Sequence, residues 1–593
     1  MQDSSIGLNL DTFKKKGSNM ALDVTIRIGG RAGQGMQSIG LILGKIFTRQ
    51  GYYVFIHQDV EARIRGGHSF VQIRIKDEPV YVHSDKVDLL IALDKGSMDQ
   101  DQPDLAPDDI MIFDVQEMGF TSDNPARLPV PMEQLAMEAG KNKIMANSVA
   151  TGAALALLGV DLQPLLDRLD EEFSAKGPEI VEKNRNCVSS GYRYIQRHFK
   201  GYFPKKIPPA PFKKEKLLLT GSQAMVLGAV CSGLKFYSGY PMSPSTPIME
   251  FVASLGAERG IIVEPAEDEI AAINMVLGAS FAGVRAMTAT SGGGFCLMVE
   301  GLGLAGMTET PAVIVVAQRA GPSTGLPTRT EQADLDFVIH ASHGEFPRAV
   351  LAPGHAEQAF YTMAKAFNLA DRFQSPVIVL GDQHLNDSYF TVDHLDLGRM
   401  TIDRGSIIPE EEMASPLEYK RYAWDESGIS PRILPGQGKA VLYADSDEHN
   451  EAGHITESAM VRKAMVVKRL RKVEGLRREM DPPEVCAEPD ADLLLLGWGS
   501  TYGALGEAAN ILTRSGLKTE VWHFCDLFPF PDADLLAQLP EKTQIISVEN
   551  NSTGQFARLF SGQGGIPIDH QIFKFDGRPF SPRDIVTRVY RAL

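Results

Sequence analysis

Cysteine is scarce and scattered. The chain of 593 residues has five, Cys187, Cys231, Cys296, Cys486 and Cys525, and no two lie within three positions of each other. A CxxC-type ligand set for zinc or an iron–sulfur cluster is therefore absent. Buried free thiols are the expected state, and no metal is expected in this chain; if the protein transfers electrons, the cluster must sit on a partner. Positive charge is also short. With 59 Lys and Arg against 75 Asp and Glu, the net charge is −16, which argues against nucleic-acid binding through a basic face. No apolar run reaches the roughly 18–20 residues of a membrane span, so no membrane partner is expected. Residues 1–19 are polar and lack an apolar signal core. They read as a disordered leader, and the protein as cytoplasmic.

What is present is patterned as α/β protein. In residues 20–200, Val24, Ile26 and Ile28 alternate with Thr25 and Arg27, as in a half-buried strand. A glycine-rich turn and an apolar helical face at Met36, Ile39, Ile42, Leu43 and Ile46 follow. Further strands are expected at 53–56, 69–75, 87–93 and 111–115, in a mostly parallel sheet. Residues 201–216 hold four prolines and five lysines and read as an exposed linker. Residues 217–395 repeat the α/β pattern, 396–485 look irregular, and 486–593 make a third, smaller α/β domain. The basic helix at 466–479 reads as a solvated face.

Several turns carry candidate chemistry. Gly30-Arg31-Ala32-Gly33-Gln34-Gly35 follows a strand and opens a helix, so its backbone N–H groups suit a phosphate. Its GxxGxG spacing is not that of a nicotinamide-dinucleotide turn, and a tight turn without a ligand remains equally open. Arg63 and Arg65 precede paired glycines and His68, either an anion site or a solvated turn. Tyr240, Pro241 and Ser243 lie on a proline-stiffened loop whose hydroxyls suit a carboxylate. The alternative there is a helix cap at Ser245 or Thr246, ahead of Pro247. Four acids crowd residues 264–269 at a helix start, where they complement the helix dipole. Glu269 is set among Ile270, Ile273, Met275 and Val276, and a carboxylate in a dry interface is a candidate acid or base. Arg319 follows an apolar strand, at the edge where such sheets bind ligands. A structural ion pair is its alternative role.

Together these motifs resemble the 2-oxoacid:ferredoxin oxidoreductase family, over nearly the whole chain from about residue 22. SGYPMSPST, AEDEIAAINMVLGASFAG, TATSGGGFCLM, QRAGPSTGLPTRTEQ and EHNEAGHITE are similar to the substrate loop, glutamate helix, glycine loop, arginine segment and EHDEYGHITE stretch of its alpha subunits. GGRAGQG looks like the family's separate gamma subunit, here fused at the N-terminus. The QRxGPSTG segment fits 2-oxoglutarate-type members better than pyruvate-type ones. Thr220-Gly-Ser-Gln-Ala224 departs from the family's TGNEA, and Gly293 stands in place of a proline.

The resemblance implies three α/β domains: a gamma-type domain at 20–200, a pyrimidine-binding domain of a thiamine-diphosphate enzyme at 217–395, and a transketolase C-terminal-like domain at 486–593. It implies a beta subunit that carries the diphosphate of thiamine diphosphate, Mg2+ and a 4Fe–4S cluster, ferredoxin as electron acceptor, and a heterotetramer with two copies of each subunit. Glu269, nine residues before Gly278, would hydrogen-bond the aminopyrimidine ring and favour its imino tautomer, with Glu267 as fallback. Tyr240, Ser243, Arg319 and Thr328 would bind substrate, and Pro241, Ser291 and Gly292 the cofactor. Gly30, Arg31, Gly33, Gly35, Arg63 and Arg65 would serve coenzyme A, and the linker would let that domain swing.

The implied reaction is CoA-dependent oxidative decarboxylation of a 2-oxoacid to acyl-CoA and CO2, and its reductive reverse, with thiamine as electron sink. Pyruvate, branched-chain or broad 2-oxoacid specificity is the near alternative. A non-redox thiamine enzyme and a non-catalytic CoA- or nucleotide-binding regulatory subunit are the distant ones.

Overall fold

A computed structural model describes residues 22–62, 67–203, 205–208, 216–409, 419–437, 440–531 and 543–593. The expected leader at 1–19, Arg63, Arg65 and part of the expected linker lie outside them. The chain forms two compact units. One comprises residues up to Leu219 together with Ser388–His394, the other Thr220–Asp387 and Leu395–Leu593.

The first unit is built on β1 (Asp23–Gly30), β2 (Tyr53–Asp59), β3 (Ser69–Lys76), β4 (Leu89–Ala92), β5 (Ile110–Phe113), β6 (Arg127–Pro129) and β7 (Leu217–Thr220), joined by the distant β14 (Tyr389–Val392). Their order is β6-β5-β4-β1-β3-β2-β14-β7. The expectation of a mostly parallel sheet is corrected here. β1, β4, β5 and β6 pair in parallel, but β1–β3, β2–β3 and β2–β14 are antiparallel. Nine residues join β2 to β3, too few for the crossover that parallel pairing requires. β1 is buried on both faces rather than one, because Arg27 lies under the sheet on Asp101 (3.3 Å) and Gln72 (3.1 Å). Residues 389–392, expected with the segment before them, pair instead with β2. The described part of the expected linker is docked only in part, with Gly201, Tyr202, Lys206 and Pro208 exposed. Phe203 and Ile207 are buried, and Lys205 Nζ donates to Asp88 Oδ1 at 2.8 Å.

The second unit holds two sheets. The larger contains β8 (Leu234–Gly239), β9 (Ile262–Pro265), β10 (Arg285–Thr290), β11 (Ala312–Gln318), β12 (Ala349–Leu351) and β13 (Pro376–Asp382), and it ends on β18 (Asp526–Phe528). Its order is β18-β12-β13-β11-β10-β8-β9, parallel except for β18. The smaller contains β15 (Glu484–Cys486), β16 (Leu493–Trp498), β17 (Thr519–Phe524), β19 (Gln544–Glu549) and β20 (His570–Phe573), in the order β15-β17-β16-β19-β20. One apolar cluster runs from Ile314 and Val316 of the first sheet to Leu496, Trp498 and Phe524 of the second. Among the described residues there are three sheets, but β7 and β14 from the second expected region join the first sheet, β18 from the third joins the larger one, and two sheets share a core.

The basic helix, Ala459–Arg478, is a solvated face only in part: Arg471, Glu474 and Arg478 are exposed, but its other side is buried. Lys468 and Lys472 are buried, and their ammonium groups clasp the buried Glu309 at 2.7 and 2.6 Å. One helical turn separates the two lysines, so both reach one carboxylate. The long irregular segment is pinned similarly. Asp371 receives Arg285 (2.9 Å), Arg404 (2.8 Å) and Arg432 (3.0 Å).

Candidate active site

Parallel pairing brings the carboxyl ends of β9, β8, β10 and β11 side by side along one edge of the larger sheet. In that order they lead into the acidic turn, the proline loop, the glycine loop and the arginine segment. Four motifs separated by tens of residues thus share one edge, the place where α/β sheets bind ligands.

The acids at 264–269 part company there. Glu264 and Glu267 are exposed. Asp268 caps the glutamate helix, Glu269–Phe281, accepting from Ala271 N at 2.8 Å. Glu269 is 2% exposed. Its Oε1 accepts from Thr290 Oγ1 at 3.5 Å, and Thr290 ends β10. The next helix, Gly292–Met307, begins against this carboxylate. A Cβ on Gly294 would stand 2.4 Å from Glu269 Oε1 and 2.0 Å from Thr290 Oγ1, so only glycine admits the approach. Ser291 is fully buried, makes no cap bond, and its hydroxyl lacks a partner among the described residues. Gly292 presses on the Asp334 carboxylate, 2.4 Å from where its Cβ would be.

Arg319 ties the arginine segment to the proline loop, its Nη1 donating to Ser243 O at 2.7 Å. Burial lowers the guanidinium pKa and Asp334 opposes that shift. Tyr240, Pro241 and Ser243 are exposed on their loop, and Thr328 is half-buried. The expected side-chain cap at Ser245 does not form. Its hydroxyl donates to Met242 O at 2.6 Å and ties the loop to itself, while Pro247 does open the helix. The Thr220 departure is benign: Thr220 and Gln223 form a reciprocal capping box. Thr290, Gly294 and Asp334 escaped the sequence analysis, since nothing in their local spacing says what they face.

In the first unit, Gly33 and Gly35 adopt φ of 92° and 81°, which shapes the turn before the helix Met36–Arg49. Gln34 Oε1 takes the Arg31 N–H at 2.7 Å, so one donor of the turn is used internally. Arg31 Nε lies 3.3 Å from Asp94 and Nη2 3.9 Å from Glu117. These residues, with Glu61, His68 and Lys95, line a cleft of about 510 Å³. The positive charge that Arg31 brings to the turn is therefore met by acidic neighbours, in a cleft of mixed sign. Hydrogen bonding to Asp101 raises the pKa of His68.

Residues 227–468 match the family model described as pyruvate flavodoxin/ferredoxin oxidoreductase, thiamine diphosphate-binding, and residues 25–194 the model described as pyruvate ferredoxin/flavodoxin oxidoreductase. The alpha subunit of a 2-oxoacid:ferredoxin oxidoreductase from Sulfolobus is 34% identical, over 93% of this chain and 94% of its own. The chain belongs to the 2-oxoacid:ferredoxin oxidoreductase family. The KorA subunit of the 2-oxoglutarate oxidoreductase from Mycobacterium tuberculosis is 31% identical, over 96% of this chain and 92% of its own. The solved 2-oxoglutarate:ferredoxin oxidoreductase from Magnetococcus marinus, with 2-oxoglutarate, coenzyme A and succinyl-CoA bound, superposes with a TM-score of 0.89 at 33% identity. That match covers 96% of this chain and 99% of the other. The two family models thus match separate stretches of this one chain.

Proposed function

We propose that this chain is the glutamate-bearing subunit of a 2-oxoglutarate:ferredoxin oxidoreductase. The reaction consumes a 2-oxoacid, coenzyme A and two oxidised ferredoxins, and yields acyl-CoA, CO2, a proton and two reduced ferredoxins; reductive carboxylation is its reverse. The observation that carries this reading is the selective burial of Glu269 against Gly294, on the same sheet edge as Arg319. The names of the relatives and the ligands in the similar solved structure support the choice of 2-oxoglutarate and coenzyme A.

The glycine cradle and buried carboxylate fit the aminopyrimidine of thiamine diphosphate. Bound there, the cofactor supplies an electron sink for the charge left when CO2 departs. Glu269 holds a proton between its carboxylate and a ring nitrogen, in a setting that excludes water. Ser291 and Gly292 line the same turn, and Pro241 stiffens the loop opposite. Arg319 grips a substrate carboxylate with Tyr240, Ser243 and Thr328 around it, since a guanidinium matches a carboxylate bidentately. In this reading residues 20–200 form the gamma-type domain, joined through 201–216 to the pyrimidine domain at 217–395, and 486–593 the transketolase C-terminal-like domain. Gly30, Arg31, Gly33 and Gly35 serve coenzyme A.

The five scattered cysteines form no cluster motif, which supports a 4Fe–4S cluster on a beta subunit; the family resemblance assigns Mg2+ and the diphosphate-binding groups to that subunit too, in a heterotetramer. Among the described residues no helix is long and apolar enough to cross a membrane. A cytoplasmic location is part of this proposal, and the polar stretch 1–19 supports it. Co-purification with the beta partner should give 2-oxoglutarate- and CoA-dependent dye reduction and bound iron. An iron-free complex would favour a non-redox thiamine enzyme, and full turnover in Glu269→Ala would favour a regulatory subunit.

A further inference from the structure

Asp334 is a carboxylate without an evident structural task. It stands at the start of the short helix Leu335–His340, yet its side chain makes no cap bond. Its backbone N–H is held by Gln318 Oε1 at 3.0 Å, and Gln318 is in turn fixed to Gly381 O at 3.1 Å. These bonds aim the side chain back toward the sheet edge. There the carboxylate lies flat against Gly292, with both oxygens within 2.7 Å of where a Cβ would be. Its Oδ2 is buried and has no hydrogen-bond partner among the described residues. Arg319 acts on it electrostatically without forming a direct ion pair. The Arg319 Nε is likewise buried without a partner.

Asp334 thus sits beside the arginine and across the first turn of the glycine-led helix from Glu269. An ionised carboxylate with an orphaned oxygen is costly, whereas a proton on that oxygen makes it a donor. A second carboxylate brought to Arg319 worsens the ionised state further.

We propose that Asp334 is a positioning residue for Arg319, and that a substrate carboxylate enters this pocket together with a proton that Asp334 accepts. This rests on the proposed function, and it adds a coupling between substrate binding and proton uptake. The titratable groups facing Asp334 are Arg319 at the end of β11, Glu331 in the following loop and Cys296 on the glycine-led helix. Asp336, two residues on, is already paired with Arg558. Burial, opposed by Arg319, leaves the Asp334 carboxyl raised to about 6. The carboxyl is thus poised to exchange a proton near neutral pH.

The test uses the co-purified complex and glutarate, which offers two carboxylates and no keto group. Calorimetry at pH 7 in two buffers of different ionisation enthalpy should show uptake of about one proton per glutarate bound. In Asp334→Asn the uptake should vanish. KM for 2-oxoglutarate should rise by up to about tenfold per pH unit above pH 6 in the wild type, and stay flat in Asp334→Asn with kcat little changed. Equal proton uptake, or an equal KM slope, in both proteins would overturn the proposal. If Asp334→Asn does not assemble, the wild type alone decides: no uptake at pH 7 sinks it. A complex that binds glutarate but shows no 2-oxoacid-dependent reduction at any pH would instead overturn the proposed function.

Discussion

Gly294 meets the carboxylate of Glu269 so closely that a single methyl group on it would stand 2.4 Å from Oε1. The first turn of the glycine-led helix is therefore part of what positions the glutamate. Gly294→Ala should raise the intrinsic propensity of that helix by about 0.5–1 kcal/mol, yet push the Glu269 side chain aside. Turnover should fall toward that of Glu269→Gln, by about 10²–10⁴-fold if the group acts in proton transfer. Exchange of the thiazolium C2 proton in the assembled complex is the measurement. Exchange at the wild-type rate in Glu269→Gln would remove Glu269 from the role.

Arg319 should contribute to substrate binding more than to folding, since it is half-buried and, among the described residues, bonded only to a loop carbonyl. Removing a charge-assisted contact costs about 1.5–3 kcal/mol. Arg319→Ala should therefore raise KM for the 2-oxoacid by about one to two orders of magnitude. Arg319→Lys should recover only part, because an ammonium cannot reproduce the bidentate fork. Steady-state kinetics across several 2-oxoacids reads this out, and unchanged kinetics in Arg319→Ala would reject it.

The sheet-edge motifs were legible because each joins a strand of strong pattern to a turn of unusual composition. Glu269 stood out from its acidic neighbours by the apolar residues that follow it. What was not legible depends on partners far away in sequence. Lys468 and Lys472 read as a solvated face because the basic helix has no clean apolar stripe, and the carboxylate that they enclose lies 159 residues before Lys468. β14 and β18 were missed for the same reason, being strands of four and three residues whose sheet partners come from other segments. Gly294 and Asp334 face groups that no local spacing announces.

The Glu309 cluster should dominate the stability of the second unit. Glu309→Ala leaves two buried ammonium groups facing no carboxylate, and breaking a buried pair in this way costs about 3–5 kcal/mol. Glu309→Gln, which keeps hydrogen-bonding capacity, should cost less. Urea denaturation of the complex followed by tryptophan fluorescence should show a lower midpoint in both variants, with alanine the lower. A midpoint unmoved in Glu309→Ala would mean that the lysines find other partners.

His355 and His523 should make the second unit acid-sensitive. Burial, with mutual repulsion adding to it at His355, lowers their pKa values to about 3 and about 4. Both are therefore neutral in the fold, while the unfolded chain takes up protons below about pH 6.5. Between pH 6.5 and 4 the unfolded state binds more protons, so stability falls as pH falls, by at most about 2.7 kcal/mol per pH unit for two sites. Asp387 and Glu331, both raised to about 7 by burial, act in the opposite direction over the same range. The difference between wild type and His523→Gln isolates the histidine share. The variant should lose less Tm than the wild type between pH 7 and pH 5, and parallel losses would dismiss the effect.

The last prediction concerns the glycine turn of the first unit. Arg31 is exposed enough to meet a ligand, but it already faces Asp94 and Glu117 in a cleft of mixed sign. A phosphate bound there must compete with two carboxylates for one guanidinium, and it gains from His68, whose pKa Asp101 raises. Coenzyme A binding at this turn should therefore strengthen as pH falls toward 6. Reversing the charge in Arg31→Glu should raise KM for coenzyme A by about tenfold or more, the scale of one charge-assisted contact. Reduction of the partner's cluster by 2-oxoacid without coenzyme A should be unaffected, because that half-reaction uses only the second unit and the partner. Rapid-mixing measurements of the two half-reactions separate these outcomes. If Arg31→Glu leaves coenzyme A dependence unaltered at pH 6 and pH 8, the turn closes the fold of the first unit and carries no ligand.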